Sequence, residues 1–152
     1  MKESNRISSL FNDLFDGNPW IDVNLVDSLY NLTAEQASRR ILPRSNTIWE
    51  ITNHMISWRK IVLKRLQGKI VPTAPDNYVE PVPDQSALAW KKTLSSLTNT
   101  QKAWNQFLEN YEAKSFSKIY PGNGMDHYKH IHGILQHDAY HLGQIRMMLK
   151  YV

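Results

Sequence analysis

The chain reads as an all-α protein, a four-helix bundle, and three observations predict it. Apolar residues recur with the 3.6-residue period of a helix face through four long segments. Clusters of proline, glycine and N-capping residues separate those segments. No stretch alternates polar and apolar residues for long enough to compete as a strand; only short pieces near Val79 and from Lys118 to Tyr120 offer any such pattern.

Ile7, Leu10, Phe11, Leu14 and Phe15 take the i, i+3, i+4, i+7, i+8 spacing of one helix face, and Gly17 followed by Pro19 supplies a stop. The first long helix therefore spans about residues 4 to 16. Val23, Val26, Leu29 and Tyr30 predict a short helical segment, and Thr33-Ala34-Glu35-Gln36 resembles a capping box that starts another turn or two. Both are connectors. After Pro43, Ser45, Asn46 and Thr47 offer N-cap side chains to a second long helix, whose stripe of Ile48, Ile51, Met55, Trp58, Val62 and Leu66 ends at Gly68. Residues 69 to 83 hold Pro72, Pro75, Pro81 and Pro83, too many fixed φ angles and missing donors for a regular element, and predict a long crossover loop between the second and third long helices. Asp84 is positioned to cap the third, in which Ala87, Leu94, Leu97, Trp104, Leu108 and Tyr111 share a face as far as about residue 112. Pro121-Gly122-Asn123-Gly124 marks the turn before the last, where Ile131, Ile134, Leu135, Leu142, Ile145, Met148 and Leu149 align.

Composition narrows the function. A chain of 152 residues, 41% hydrophobic and 21% charged, fits one soluble globular domain over residues 1–152 with its own core. Cysteine is absent, which excludes disulfides, thiolate ligands and a cysteine nucleophile. No apolar run approaches the roughly 20 residues of a membrane span, and the N-terminal segment has no uninterrupted apolar region, so a cytoplasmic protein without membrane association is expected. The net charge of +4 comes from scattered Lys and Arg rather than a basic stripe, which argues against nucleic acid as a partner. With no G-x-S-x-G elbow, Gly-rich phosphate loop or paired carboxylates, serine-triad hydrolysis is not expected.

The histidines carry the most specific signal. His137 and His141, in QHDAYHLGQI, are an i, i+4 pair and lie about 40° apart on a helix wheel, so two imidazoles can converge on one point. Both fall at the edge of the last helix's apolar stripe, and His54 sits at the margin of the second helix's core face beside Ile51, Trp58 and Ile61. Any one histidine so placed is more often a packed, hydrogen-bonded core residue. Three on core-edge faces, two of them one turn apart, point instead to a metal site. His130 lies about 10.5 Å along the axis from His137, too far to share an ion with the pair, although it is placed to line a pocket. His127 and His132 read as structural or surface residues.

His137-Asp138-Ala139-Tyr140-His141-Leu142-Gly143-Gln144-Ile145, taken with Ser45-Asn46-Thr47-Ile48-Trp49-Glu50-Ile51-Thr52-Asn53-His54, resembles the DinB superfamily of four-helix bundles over essentially the whole chain. The resemblance implies an up-down-down-up bundle, with the crossover at residues 69 to 83 making the parallel step. It also implies a frequent homodimer and a divalent metal, zinc or nickel, bound by His54, His137 and His141. Some relatives are thiol-dependent, including bacillithiol S-transferases and mycothiol-dependent maleylpyruvate isomerases, which implies a low-molecular-weight thiol as co-substrate alongside a small-molecule substrate.

Three neutral imidazoles leave a divalent ion with an open position, the arrangement of catalytic rather than closed structural zinc, where a water or thiol can be activated. Asp138 falls inside the apolar stripe, where a carboxylate is costly without a partner. It is a candidate to orient a ligand imidazole or to act as a base, with a structural ion pair as the alternative. Glu50 is a candidate for the same orienting role, or else an exposed helix glutamate. Trp58, one turn beyond His54, is placed to wall a substrate cavity, and Gln144 to offer its amide to that pocket or to nearby backbone. Gly143 and Tyr140 point away from the metal face and are expected to pack. Trp49, Trp90 and Trp104 read as core. Two functions follow from these residues: a metal-dependent enzyme, thiol S-transferase or hydrolase-like, or a non-catalytic metal-binding or stress-response bundle.

Overall fold

The computed structural model describes residues 1–152. Six α-helices make up the chain, with one short 3-10 turn at Ala113–Ser115: α1 (Glu3–Asp16), α2 (Leu25–Leu29), α3 (Ala34–Ser38), α4 (Ile48–Leu66), α5 (Ala87–Glu109) and α6 (His127–Met148). There is no strand. Of the two short pieces with a weak strand pattern, that near Val79 forms none, and that at Lys118 to Tyr120 makes one isolated antiparallel bridge between Ile119 and Asp126 across the turn before α6.

The helix ends show why the segments begin where they do. Thr33 and Gln36 form a complete capping box at α3, and Thr47 and Glu50 form another at α4, each pair satisfying two orphan donors of the first turn. α4 stops where Gly68 takes a φ of 88°, a left-handed conformation that lets its N–H reach back to Arg65. The cap of α5 differs from the expectation. Ser86, not Asp84, accepts from the Ala89 N–H, while Asp84 accepts from the Ser86 N–H and shapes the turn ahead of the helix. α5 also ends at Glu109, three residues early, because Tyr111 turns to pack on Phe107, Phe116 and His127.

α4 packs on α6 and on α5, and α1 packs on α5, with α2 and α3 covering one end. The core divides into two apolar clusters. One takes Ile48, Trp49, Met55, Trp90, Leu94 and Leu97 from the N-terminal halves of α4 and α5, with Leu14, Phe15, Leu142 and Ile145 from the C-terminal halves of α1 and α6. The other gathers Val62, Leu66, Trp104 and Leu108 from the C-terminal halves of α4 and α5 with Ile131 and Ile134 from the N-terminal half of α6 and with Ile7 and Phe11, which precede Leu14 and Phe15 on α1.

A polar layer separates the two clusters. Arg59 and Asp138 are both fully buried, and Arg59 Nε donates to Asp138 Oδ2 at 2.7 Å. Arg59 Nη1 donates to Gln101 Oε1 at 2.9 Å, and the Gln101 amide donates to Asn12 Oδ1 at 2.9 Å, so α4, α6, α5 and α1 are joined at one level. Burying the pair is costly, but leaving either charge alone is costlier.

Asp138→Ala is therefore expected to destabilise the metal-free protein by about 3–5 kcal/mol, and Arg59→Met/Asp138→Leu to recover most of that loss, as read by urea unfolding. A second outcome concerns Tyr111, whose phenol is pushed up to about 12 by burial. Above a pH of about 10 the unfolded chain releases a proton that the folded chain keeps, so stability falls as pH rises toward about 12. Urea unfolding at about pH 9 and about pH 11 should show this fall in the wild type and lose it in Tyr111→Phe.

Candidate metal centre

α4 delivers His54, and α6 delivers His137 and His141 one turn apart. Their ligand-capable atoms lie within 4.8 Å of one another. The rings form a compact triad, with centroids 5.0 Å (His54–His137), 4.8 Å (His54–His141) and 4.4 Å (His137–His141) apart.

Each imidazole turns its Nδ1 to an oxygen. His54 Nδ1 lies 2.7 Å from the Asn77 carbonyl in the crossover loop, and His141 Nδ1 lies 2.7 Å from Gln144 Oε1. Both oxygens only accept, so each Nδ1 carries the proton and each Nε2 keeps its lone pair. His137 Nδ1 faces Asp138 Oδ1 at 3.6 Å, and both atoms are buried without another partner. His137 Nε2 and His54 Nε2 face each other at 3.0 Å. Two nitrogens held ~2.0–2.1 Å from one ion lie ~2.9–3.4 Å apart for angles between octahedral and tetrahedral, so the spacing fits a shared divalent cation.

Electrostatics keep the ligands available. Burial, the largest effect, lowers the pKa of His54, opposed by the Asn77 carbonyl. Burial also pushes His141 down to about 4, against the raising effect of Gln144. Both are neutral at pH 7, as ligation requires. His54 is only 4% exposed, whereas the His137 side chain is 24% exposed, so the triad is open on the His137 side.

That side adjoins a cavity of about 300 Å³ lined by His137, Trp58, Val62, Ile134 and Arg65 among others. Trp58 walls it, its ring centroid 6.1 Å from that of His137. His130 lines it as well, its Nδ1 2.9 Å from the Asp126 carbonyl and its Nε2 3.3 Å from the Asn123 amide nitrogen. Gln144 does not, because its amide is turned to His141 three residues earlier.

Several neighbours do other work than their residue types suggested. Glu50 is buried, but its carboxylate accepts from the Thr47 N–H and from Arg40 rather than approaching His54. Tyr140 does not point away from the metal face; although 64% exposed, its ring lies edge-on to His141 at 5.0 Å between centroids, and its hydroxyl accepts from Gln144 Nε2, fixing the amide so that Oε1 faces His141. Asp138 is ion-paired with Arg59 through one oxygen, and its other oxygen lies 3.6 Å from His137 Nδ1, beyond hydrogen-bond distance. Arg59 and Asn77 were missed. Arg59 had a signal, since it interrupts the stripe between Met55 and Val62 much as Asp138 interrupts that between Ile134 and Leu142. Asn77 had only the Pro75-Asp76-Asn77 turn pattern, which foretells its φ of 55° but not the histidine its carbonyl meets.

With the geometry in view, comparison with known proteins decides the family. The model of the DinB superfamily matches residues 23–145, a span holding all three histidines. The chain belongs to the DinB superfamily. No curated protein and no solved structure matched it. Membership accords with the all-helical fold and with a histidine cluster on the two helices that pack together most closely.

Gln144→Leu removes the acceptor that orients His141 and is expected to weaken zinc affinity by about 10–100-fold while leaving helicity intact. Competition with a chromophoric chelator measures the change.

Proposed function

We propose that this DinB-superfamily protein is a divalent-metal-dependent enzyme in which His54, His137 and His141 hold zinc or nickel and a low-molecular-weight thiol or water attacks a small-molecule electrophile. One observation carries the reading: His54, His137 and His141 gather their ligand-capable atoms within 4.8 Å of one another, with His54 Nε2 and His137 Nε2 3.0 Å apart. A divalent ion at that point supplies Lewis acidity and favours the deprotonated form of a thiol or water. The chain's own residues do the rest. Asn77 and Gln144 hold the orientations of His54 and His141, Asp138 lies beside His137, and Trp58 shields one side of the cavity from water. Partial exposure of His137 beside a cavity supports catalysis over a closed structural site, which would present four protein ligands.

The same reading takes the chain as a single domain with its long helices running up, down, down and up, which is supported by the way the two apolar clusters exchange helix halves. It is a cytoplasmic homodimer that uses neither nucleic acid nor membrane. No helix is long and apolar enough to cross a membrane.

Elemental analysis of the untagged protein is expected to find close to one divalent ion per chain, lost in His141→Ala with helicity retained by circular dichroism. The loaded protein is then expected to transfer a thiol to an electrophile such as a chloronitrobenzene, or to hydrolyse an activated ester, with His141→Ala inactive in both. Metal retained by the wild type without turnover would favour the non-catalytic binding bundle. No metal after reconstitution with zinc and nickel would remove the catalytic reading.

A further inference from the structure

Arg65 is 6% exposed and forms no ion pair. Its Nε donates to the Val71 carbonyl at 3.0 Å and its Nη2 to Thr73 Oγ1 at 3.1 Å, leaving Nη1 without a protein acceptor. The guanidinium carbon sits 5.5 Å from the Trp58 ring and 5.3 Å from the Tyr120 ring, so stacking on two aromatic faces, rather than a carboxylate, holds the charge in place. A buried cation without a counter-ion is costly, and such charges are ordinarily paired.

The cavity beside the histidines explains what could pair with it. Arg65 and Lys129 both line that space, and no Asp or Glu does. Between the guanidinium and His137 the walls are apolar, made by Trp58, Val62 and Ile134. Gly133 also lines it, and a Cβ built there would meet nothing within 4 Å, so the absent side chain leaves room for a ligand. About 300 Å³ is at the small end of ligand pockets.

We propose that this cavity binds the substrate as a small organic anion, its oxyanion group at Arg65 and its apolar body against Trp58, Val62 and Ile134. The proposal deepens the enzymatic reading and rests on it for the word substrate; the anion site itself does not need the metal. Arg65 acts as the specificity determinant, since a guanidinium that lines the cavity and keeps Nη1 without a protein acceptor offers a charge-assisted hydrogen bond that a neutral analogue cannot return. Trp58 touches both His137 and Arg65, and so sets the length of ligand that can span from one to the other.

The test uses 4-phenylbutyrate and its neutral counterpart 4-phenyl-1-butanol as probes, titrated calorimetrically into chelator-treated, metal-free protein and into zinc-loaded protein. Metal-free wild type is expected to bind the acid at least about tenfold more tightly than the alcohol. Arg65→Gln is expected to erase that preference while still binding the alcohol, and Gly133→Leu, which fills the cavity without touching Arg65, to abolish binding of both. Equal binding of acid and alcohol, no binding of either, a preference unchanged in Arg65→Gln, or binding undiminished in Gly133→Leu would overturn the proposal. A preference seen only with zinc would also overturn it, because the anion would then be held by the ion rather than by Arg65. A preference in metal-free protein that binds no zinc on reconstitution would keep the anion site and remove the metal-dependent reading instead.

Discussion

Arg59 and Asp138 meet at the centre of the bundle with neither side chain exposed, and that ion pair sets the axial register of α4 against α6. Neither charge can slide along its helix without losing its partner in an apolar interior, and the hydrogen bonds from Arg59 to Thr100 and Gln101 carry the same constraint to α5. The histidines depend on that register. His54 lies five residues before Arg59 on α4, while His137 and His141 flank Asp138 on α6. Pinning 59 to 138 therefore brings 54 beside 137 and 141. The carboxylate that neutralises the core arginine also faces His137, so the interaction that fixes the helices is in contact with the proposed ligand set.

Two of the three rings are held by oxygens and the third faces one, each oxygen coming from a different distance in sequence. Gln144 is local to its histidine, one helical turn away, and Tyr140 holds it from the turn before. Asp138 is adjacent to His137. Asn77 arrives from a proline-rich loop 23 residues beyond His54, where left-handed conformations at Asn77 and Tyr78 turn the carbonyl inward. The Asn77 side chain also accepts from the Trp58 indole N–H, and Tyr78 packs edge-on against the Trp58 ring. One turn of loop thus shapes the histidine cluster and the cavity wall together, which gives the long crossover a role beyond connecting helices.

Much of this was legible in residue patterns. The long helices, the two connectors and the capping residues Thr33 and Thr47 follow from periodicity and hydrogen-bonding chemistry confined to a few neighbouring residues. The error at Asp84 has the same origin: Asp84 and Ser86 are both good N-caps, and the choice between them depends on how the preceding loop approaches α5. Glu50 looked like a free helix carboxylate because its partner, Arg40, belongs to the irregular segment before α4. Asp138 was recognisable as a buried charge in want of a partner, and Arg59 was open to the same reasoning, since each replaces an apolar residue on a stripe.

By itself the sequence determined the helices, the faces they bury and the placement of His54, His137 and His141 at core edges. These are consequences of a 3.6-residue period, which any stretch of chain expresses without knowledge of the rest. Only the tertiary structure decided which face meets which, that Arg59 answers Asp138 across 79 residues, that a loop carbonyl meets His54, and that Arg65 is buried at a cavity with no acid beside it. Those contacts depend on the balance between desolvation and pairing at sites assembled from distant segments, and that balance has no local signature in the chain.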